Sequence, residues 1–461
     1  MTWKRFFQLF TVVLGVGLLI DLGSRLGAEI FWYQEVRYLS VFLFRLQVRL
    51  FLLIVVTGIT AVYLLGNLAL AQRLKYSDIS KAHYPDKPLA KRFPSPYPLE
   101  LPHSSIASPS TTVFSTSVLN LRSLLPITIG LSLIAGFLLL YFGQLAVSYW
   151  QAGPTLSSTF VSRFNPNNLW RVGTQLVQQI GWLVGVVGIA IALLIYPHFL
   201  LSAIAVVFSI LLGWLFSKQW AVILQYVHPT AFNSVDPLFG RDIGFYIFAL
   251  PVWELLELWL FGMFLYGFIA VALTYLTSGN SLSQGRFPGF SSPQQRHLYG
   301  VGGGFVAVVA FSYWLGRYEL LYSPRGIAFG ASYTDVNAQL PIYTGTSLLA
   351  LAIAGYLLWR TVFWKPKSPR RYWVNIGLGF FATLVIAGSI IPDAVQYAIV
   401  QPNELAREQP FIERTISLTR QAFGLEAIDV INFDPQGQLT QADLTTNDLT
   451  VRNIRLWDQR P

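Results

Sequence analysis

Charged residues, cysteine and the familiar catalytic signatures are all scarce or absent in this sequence. Asp, Glu, Lys and Arg make up only 12% of the 461 residues, about half the share found in soluble domains. Cysteine is absent, which excludes disulfides, thiolate metal sites and thiol nucleophiles. There is no P-loop, H-E-x-x-H or G-x-S-x-G motif, and the five histidines have no metal-ligand spacing. The sequence therefore predicts no cofactor and no metal, and an enzyme is less favoured than a non-enzymatic protein.

Apolar residues, by contrast, are abundant and occur in long runs. They account for 54% of the chain, and the mean hydropathy is +0.51. A helix needs roughly 20 apolar residues to cross a bilayer, and an open strand cannot satisfy its backbone groups in lipid. The sequence predicts an all-α transmembrane helical bundle of about nine spans. These are residues 6–20 (extendable past Asp21 toward Leu26), 50–71, 127–147, 180–195, 199–216, 252–276, 298–315, 342–359 and 373–391.

The runs divide the chain into four predicted parts. These are the first two membrane spans at 1–71, a basic Pro- and Ser-rich cytoplasmic linker at 72–123, a seven-span membrane domain at 124–391 and an extracytoplasmic segment at 392–461. The last part is predicted as a small α+β segment, with a helix from Pro410 to Gly424 and strands at 428–433 and 451–457 around a turn at 434–437. Its core is thin for an independent domain. We therefore expect it to be the beginning of a larger, truncated domain.

The distribution of Lys and Arg predicts the orientation. With Lys4 and Arg5 in the cytoplasm, the inner loops carry 16 Lys and Arg and the outer loops carry 10, leaving aside six in the C-terminal segment. Cytoplasmic loops are enriched in these residues. The N-terminus is therefore predicted to be cytoplasmic and the C-terminus extracytoplasmic, in the bacterial cell membrane. The alternative is that 180–216 forms one kinked helix or a re-entrant pair around 196–198, which levels the count at 13 on each side.

Three polar stretches interrupt the apolar pattern at 236–251, 316–338 and 401–415, and the predicted topology places all three outside the cytoplasm. Their acidic residues are candidate oxygen donors for a cation or a polar ligand: Asp236, Asp242, Glu319, Asp335 and Glu404. The alternative is that these acids pair with Arg241, Arg317 and Arg325 to hold the loops together. Glu254 and Glu257, at the start of the sixth span, are either interfacial anchors or an outward-facing cation site.

A glycine-rich run opens the seventh span. Tyr299-Gly-Val-Gly-Gly-Gly-Phe305 is superficially similar to a dinucleotide-binding loop, but Phe305 stands where that motif has its last glycine. Small residues four apart allow membrane helices to approach closely. Gly300 and Gly304 are therefore predicted to serve helix packing.

Several long motifs resemble one known family. They are FWYQEVRYLSVF at 31–42, DPLFGRDIGFYIFALP, GASYTDVNAQLP, QPNELAREQPFIERTISLTRQAFGL and NIRLWDQRP. These motifs resemble those of uncharacterised protein family 0182, whose members are large bacterial and cyanobacterial multi-pass membrane proteins. The resemblance implies an N-terminal membrane region followed by a large extracytoplasmic region, and it implies no reaction. Two extra spans around 127–195, and a chain that stops at Pro461, depart from that pattern.

The favoured hypothesis is an integral membrane protein of the cell envelope that binds or assembles on the extracytoplasmic side. Its predicted partners are the lipid bilayer and envelope proteins or a second copy of itself, and no nucleic acid. The alternative is a secondary transporter or channel for a small solute or ion that uses the outer acids. An enzyme acting on lipid or wall precursors is the least favoured class because the catalytic signatures are missing.

Overall fold

The computed structural model shows a bundle of long apolar helices. It describes residues 3–75, 119–152, 174, 180–277, 286–287, 290–363, 371–429, 431, 437 and 439–454. Each of the nine predicted spans lies within one helix of this bundle. Most of the predicted linker, residues 76–118, lies outside the described residues, as do positions 434–436 of the predicted turn.

The helices of the bundle are α1 (Trp3–Glu35), α2 (Leu39–Lys75), α3 (Leu121–Ala152), α4 (Ile180–Ile195), α5 (Pro197–Lys218), α6 (Trp220–Val227), α7 (Leu250–Leu276), α8 (Ser292–Glu319), α9 (Leu340–Val362) and α10 (Arg371–Val395). Three further helices follow: α11 (Glu404–Ala422) and the two six-residue helices α12 (Gln441–Thr446) and α13 (Asp448–Asn453). Strands β1 (Leu119–Asn120) and β2 (Arg286–Phe287) form one short antiparallel pair.

Seven helical segments among the described residues are long and apolar enough to cross a membrane. They are Leu39–Lys75, Leu124–Leu145, Pro197–Lys218, Phe245–Leu276, Ser292–Tyr322, Asp335–Val362 and Gly379–Ala422. The 16-residue α4 is apolar but shorter, and α1 is not among the seven. The predominantly helical architecture with several candidate spans is therefore confirmed, whereas the predicted count of nine is not confirmed by the seven candidates among the described residues.

Helices α3 and α4 run in opposite directions. Gly136 of α3 faces Ile189 of α4, whereas Leu140, one turn later in α3, faces the earlier residue Gly185. Opposed numbering along the contact is the mark of an antiparallel pair. The contacts between α7 and α8, and those between α8 and α9, have the same opposed numbering, so these two pairs are also antiparallel.

The chain also reverses direction at Tyr196, between α4 and α5. Phe142, half a turn beyond Leu140 in α3, contacts Phe208 of α5, with ring centroids 4.9 Å apart. Residues 185 and 208 therefore lie at nearly the same level along α3. A continuous helix would separate them by about 34 Å, at 1.5 Å per residue. The contacts therefore favour two packed helices over a single kinked one.

Small residues set the closest helix contacts. A Cβ on Gly304 of α8 would lie 2.3 Å from Cε1 of Phe264 in α7, and one on Gly300 would lie 3.3 Å from Cγ2 of Thr361 in α9. Both glycines of the predicted packing motif therefore face a neighbouring helix. Between α5 and α2 the approach is closer still, because Gly213 lies directly against Thr57.

The chain divides into two compact units, residues 1–408 and 409–461. In the second unit, α11 continues to Ala422 and ends before Gly424, whose φ of +64° is the left-handed conformation of a helix C-terminus. Thr440 caps α12, because its hydroxyl oxygen accepts the backbone N–H of Asp443 at 3.3 Å. The Asp443 carboxylate in turn accepts the hydroxyl and the backbone N–H of Thr440, and these two hydrogen bonds lower the pKa of the Asp443 carboxyl below its ordinary value.

Two predictions for this second unit are wrong among its described residues. The helix begins at Glu404, so Pro410 lies inside it and does not start it. No described residue of 409–454 is in a strand, and Val451 belongs to α13. Asp448 and Arg452 form a 2.7 Å ion pair one turn apart, which stabilises a helix at that position. The α+β assignment is therefore not confirmed.

Candidate functional site: the polar end of the helix bundle

The three polar stretches found in the sequence meet at one end of the bundle. The Phe239 and Tyr318 rings lie 4.9 Å apart and join the first stretch to the second. Arg325 Nη2 lies 3.4 Å from Asp393 Oδ1 in the last turn of α10, and Glu408 of the third stretch accepts the backbone N–H of Tyr333 in the second. We call residues 228–249, 318–340 and 393–408 together the polar end.

Asp236 organises the loop that precedes α7. It is 9% exposed, and its carboxylate accepts the backbone N–H groups of Leu238 at 3.2 Å and Phe239 at 2.5 Å and the hydroxyl of Tyr246 at 3.1 Å. Gly240, with φ of +66°, closes the turn and donates to the backbone oxygen of Asp236. This carboxylate is therefore saturated by donors of its own loop.

Asp242 has a similar role a few residues later. Its Oδ1 accepts the backbone N–H groups of Gly244 at 2.6 Å and Phe232 at 3.3 Å. The neighbouring Arg241 lies over two rings, 4.5 Å from the centroid of Phe245 and 5.3 Å from that of Tyr318. Arg241 thus holds the loop through cation–π contacts, where the sequence predicted an ion pair.

Arg325 is the centre of a second network, in the loop between α8 and α9. Its Nη1 donates to Gln339 Oε1 at 2.6 Å and lies 3.4 Å from Asp335 Oδ1. Asp335 is 1% exposed and accepts the backbone N–H and the hydroxyl of Ser332 at 3.1 and 2.8 Å. This Ser-x-x-Asp arrangement is a capping box at the start of a helix. The predicted pair of Arg325 with an outer acid is present in this network.

The buried carboxylate of Glu408 ties the same loop to the segment after α10. Glu408 is 2% exposed, and both of its oxygens lie 3.2 Å from the backbone nitrogen of Tyr333, which donates to them. The hydroxyl of Thr334 donates to Gln396 Oε1 at 2.6 Å. Arg407 lies over the Tyr333 ring, 5.4 Å from its centroid. Both ends of the 323–334 loop are therefore fixed.

The remaining candidate acids are not assembled into one site. Glu257 is 4% exposed within the bundle and accepts a 2.6 Å hydrogen bond from the Ser312 hydroxyl. Glu254 lies half-buried in the first turns of α7, and Glu319 ends α8. Glu404 is exposed in the first turn of α11, where a negative charge complements the helix dipole. Across the described part of the chain, no three acidic or histidine side chains converge as metal ligands would.

Three wide helical turns mark the polar end. Each is a five-residue π-helical segment: Phe245–Ala249, Asp335–Gln339 and Gln396–Val400. Each is followed two residues later by a proline, at 251, 341 and 402. The proline ring clashes with the carbonyl four residues earlier, and a wider turn moves that carbonyl aside. The three prolines thus shape the helix ends that carry the polar networks.

Large apolar side chains project from this hydrogen-bonded framework. Phe329 is 77% exposed and Ile327 is 58% exposed, although both lie in the fixed loop between Arg325 and Asp335. Tyr397 and Leu405 are 76% and 73% exposed in the neighbouring segment. Large apolar side chains that are exposed together on a hydrogen-bonded loop are typical of a surface that contacts another molecule.

Several of these residues escaped sequence analysis. Asp393, Gln396 and Glu408 were missed because their partners lie more than 60 residues away in the chain. The Ser332-x-x-Asp335 spacing was a usable signal, since it is a capping-box pattern. The prolines at 251, 341 and 402, each within or just after a polar stretch, were a second signal.

The sequence is similar to proteins of one known family. The family model of the uncharacterised protein family UPF0182 matches residues 6–461. A UPF0182 protein of Nostoc sp. is 56% identical over 100% of this chain and 46% of its own length. UPF0182 proteins of Trichodesmium erythraeum and Synechocystis sp. are 38% and 32% identical over 96% and 98% of this chain, and 46% and 45% of their own lengths.

The chain thus spans just under half the length of these curated relatives. No solved structure matches it. The resemblance seen in the sequence motifs is confirmed, because the family model covers nearly every residue and the identity to the Synechocystis relative is 32%. The chain belongs to the uncharacterised protein family UPF0182.

Proposed function

We propose that the chain is a multi-pass protein of the bacterial cell membrane that binds another envelope protein through its polar end. In this proposal about nine helices cross the bilayer, the N-terminus is cytoplasmic and the polar end is extracytoplasmic. The excess of Lys and Arg on the opposite loops supports this orientation.

Helices α1 and α4, which are not among the seven long apolar segments, support the count of nine. Helix α1 has 33 residues, or about 50 Å at 1.5 Å per residue, which exceeds the roughly 30 Å of hydrocarbon. Helix α4 packs antiparallel to α3, and the chain reverses at Tyr196 before α5. With these two included, every helix from α1 to α10 except the short α6 is a crossing.

The observation that carries the binding role is the exposure of Phe329 and Ile327 in a loop fixed at both ends. A mobile loop could fold its apolar side chains back onto the protein, but the contacts of Arg325, Asp335 and Glu408 hold this one open. A rigid display also lowers the entropic cost of association. We therefore assign protein binding to this loop and not to the saturated acids around it.

The orientation can be tested by thiol labelling, because the chain contains no cysteine. Single-cysteine variants Ile327→Cys and Phe363→Cys place an exposed thiol at the polar end and at the end of α9, respectively. In spheroplasts, a membrane-impermeant maleimide is expected to label position 327 and to reach 363 only after permeabilisation. The reverse labelling pattern would show that the polar end is cytoplasmic.

The binding role can be tested by photocrosslinking in intact cells. Benzoylphenylalanine at Phe329 is expected to form an adduct with a discrete envelope protein, identified by mass spectrometry. The same group at Phe363, which is 59% exposed on the membrane bundle, is the matched control. Adding Ile327→Asp should reduce the adduct at 329 about tenfold, since it buries a charge in an apolar contact. Lipid adducts alone at both positions would contradict the proposal.

A further inference from the structure

A groove of about 470 Å³ lies between α2, α7, α8 and α9, at the end of the bundle opposite the polar end. Ser292 and Arg296 line it where α8 begins, and Tyr63 and Phe264 line it further along the helices. Between them the lining is mostly aliphatic, including Leu70. The groove therefore has one charged end and an apolar body.

The length of the groove matches one leaflet of a bilayer. Along α2 it extends from Leu74 to Tyr63, eleven residues or about 16 Å at 1.5 Å per residue. The hydrocarbon core of a bilayer is about 30 Å thick. With the helices crossing the membrane, the groove starts at one interface and ends near the midplane, which is the depth of a single acyl chain.

The polar side chains in the groove wall are largely paired with each other. His297 bonds to Asn67 Oδ1 through Nε2 at 2.9 Å and to the Tyr275 hydroxyl through Nδ1 at 2.7 Å. The Asn67 amide donates to the backbone oxygen of Tyr63 at 2.7 Å. Both ring nitrogens of His297 are therefore hydrogen-bonded within the protein, and neither is left for a ligand. An apolar chain can lie against the His297–Asn67 pair without breaking its hydrogen bonds, and the hydroxyl of Tyr63 is the one buried side-chain polar atom of the described lining that has no partner.

The charged end carries positive potential at a fixed position. Arg296 is exposed and donates through Nε and Nη2 to the backbone oxygens of Thr361 and Val362, at 3.2 and 2.9 Å. These bonds hold the guanidinium at the end of α9. Ser292 and Pro293, the first residues of the 28-residue α8, line the same end, and the dipole of a helix start also attracts anions.

We propose that this groove binds one anionic membrane phospholipid, with an acyl chain along the groove and the phosphate at Arg296. An apolar channel of one-leaflet depth beside a fixed guanidinium fits this amphiphile, and the charge favours an anionic headgroup over a zwitterionic one. The site lies at the other end of the bundle from the polar end, so it does not depend on the proposed protein contact.

The test is lipid binding to the full chain by native mass spectrometry, titrating phosphatidylglycerol or phosphatidylcholine into detergent-purified protein. The wild type is expected to retain one phosphatidylglycerol in preference to phosphatidylcholine. Arg296→Gln, which keeps donors for the α9 carbonyls, should reduce that preference about fivefold, the effect of one cation. Leu70→Trp, which fills the groove, should weaken binding of both lipids about tenfold or more.

Val62→Trp is the matched control, because Val62 lies on the same helix, is 76% exposed and does not line the groove. It should bind lipid as the wild type does. Leu70 is 44% exposed, so the larger side chain is expected to be tolerated, and the Arg296 variant tests the headgroup contact independently. Equal retention of the two phospholipids by the wild type, unchanged binding in Leu70→Trp, or retention of an isoprenoid quinone in place of phospholipid would overturn the proposal.

Discussion

Gly213→Ala is expected to destabilise the membrane bundle, because it forces α2 and α5 apart. A Cβ at Gly213 would lie 2.0 Å from Thr57 Oγ1 and 2.8 Å from the backbone oxygen of Leu53. The hydroxyl can rotate away, but the carbonyl cannot move without its helix. Overpacking of this kind costs about 1–3 kcal/mol, and Gly213→Leu should cost more and reduce the yield of folded protein.

Thermal unfolding in detergent, followed by circular dichroism, measures this effect. Gly355→Ala is the matched control, since nothing lies within 4 Å of a Cβ at Gly355, and its midpoint should remain at or above that of the wild type. Thr57→Ala in the Gly213→Ala background should recover only the part of the loss that is due to the hydroxyl. Full recovery would mean that the backbone carbonyl of Leu53 does not limit the approach.

The helices were predictable because a long apolar run pairs every backbone N–H and C=O group within its own segment only as a helix. Each predicted apolar run accordingly lies within one helix. The helix ends were less predictable, since beyond the hydrocarbon water can also satisfy the backbone. Helix α1 accordingly runs to Glu35, well past the predicted end at Ile20, and α10 continues through Pro392.

The contacts between helices were only partly visible in the sequence. Gly300 and Gly304 were identified by their spacing. The stripe of Ala205, Ser209 and Gly213, also four residues apart, was overlooked although all three are buried against other helices. Small residues at this spacing are common in apolar runs, so the pattern shows that a close contact is possible but not which helix supplies it.

The polar end was predictable in composition but not in pairing. Asp236, Asp335 and Arg325 could be assigned to polar stretches because acids and arginines interrupt otherwise apolar runs. The contact of Arg325 with Asp393 has no local sequence signal, since 68 residues and a complete helix separate them. Which acid is buried and which is exposed also depends on loop geometry that no local pattern encodes.

Asp335→Ala is expected to have the largest effect at the polar end. It removes the acceptor for the Ser332 N–H and hydroxyl and one of the partners of Arg325. Breaking a buried charge pair by removing one member costs about 3–5 kcal/mol. Partial exposure of Arg325, whose side chain is 24% accessible, reduces this to about 2–3 kcal/mol, and the 323–334 loop should become sensitive to limited proteolysis.

Asp393→Asn is the matched control, because Asp393 lies at the same 3.4 Å distance from Arg325 but its side chain is 63% accessible. Exposed pairs contribute about 0–1 kcal/mol, so its unfolding midpoint and proteolysis pattern should stay close to those of the wild type. The double variant Asp335→Ala/Arg325→Met also removes the Arg325 charge, which has lost its Asp335 partner. Its free energy of unfolding should therefore be higher than that of Asp335→Ala alone. If the double variant is no more stable than Asp335→Ala, the loss comes from the Ser332 capping contacts and not from the ion pair.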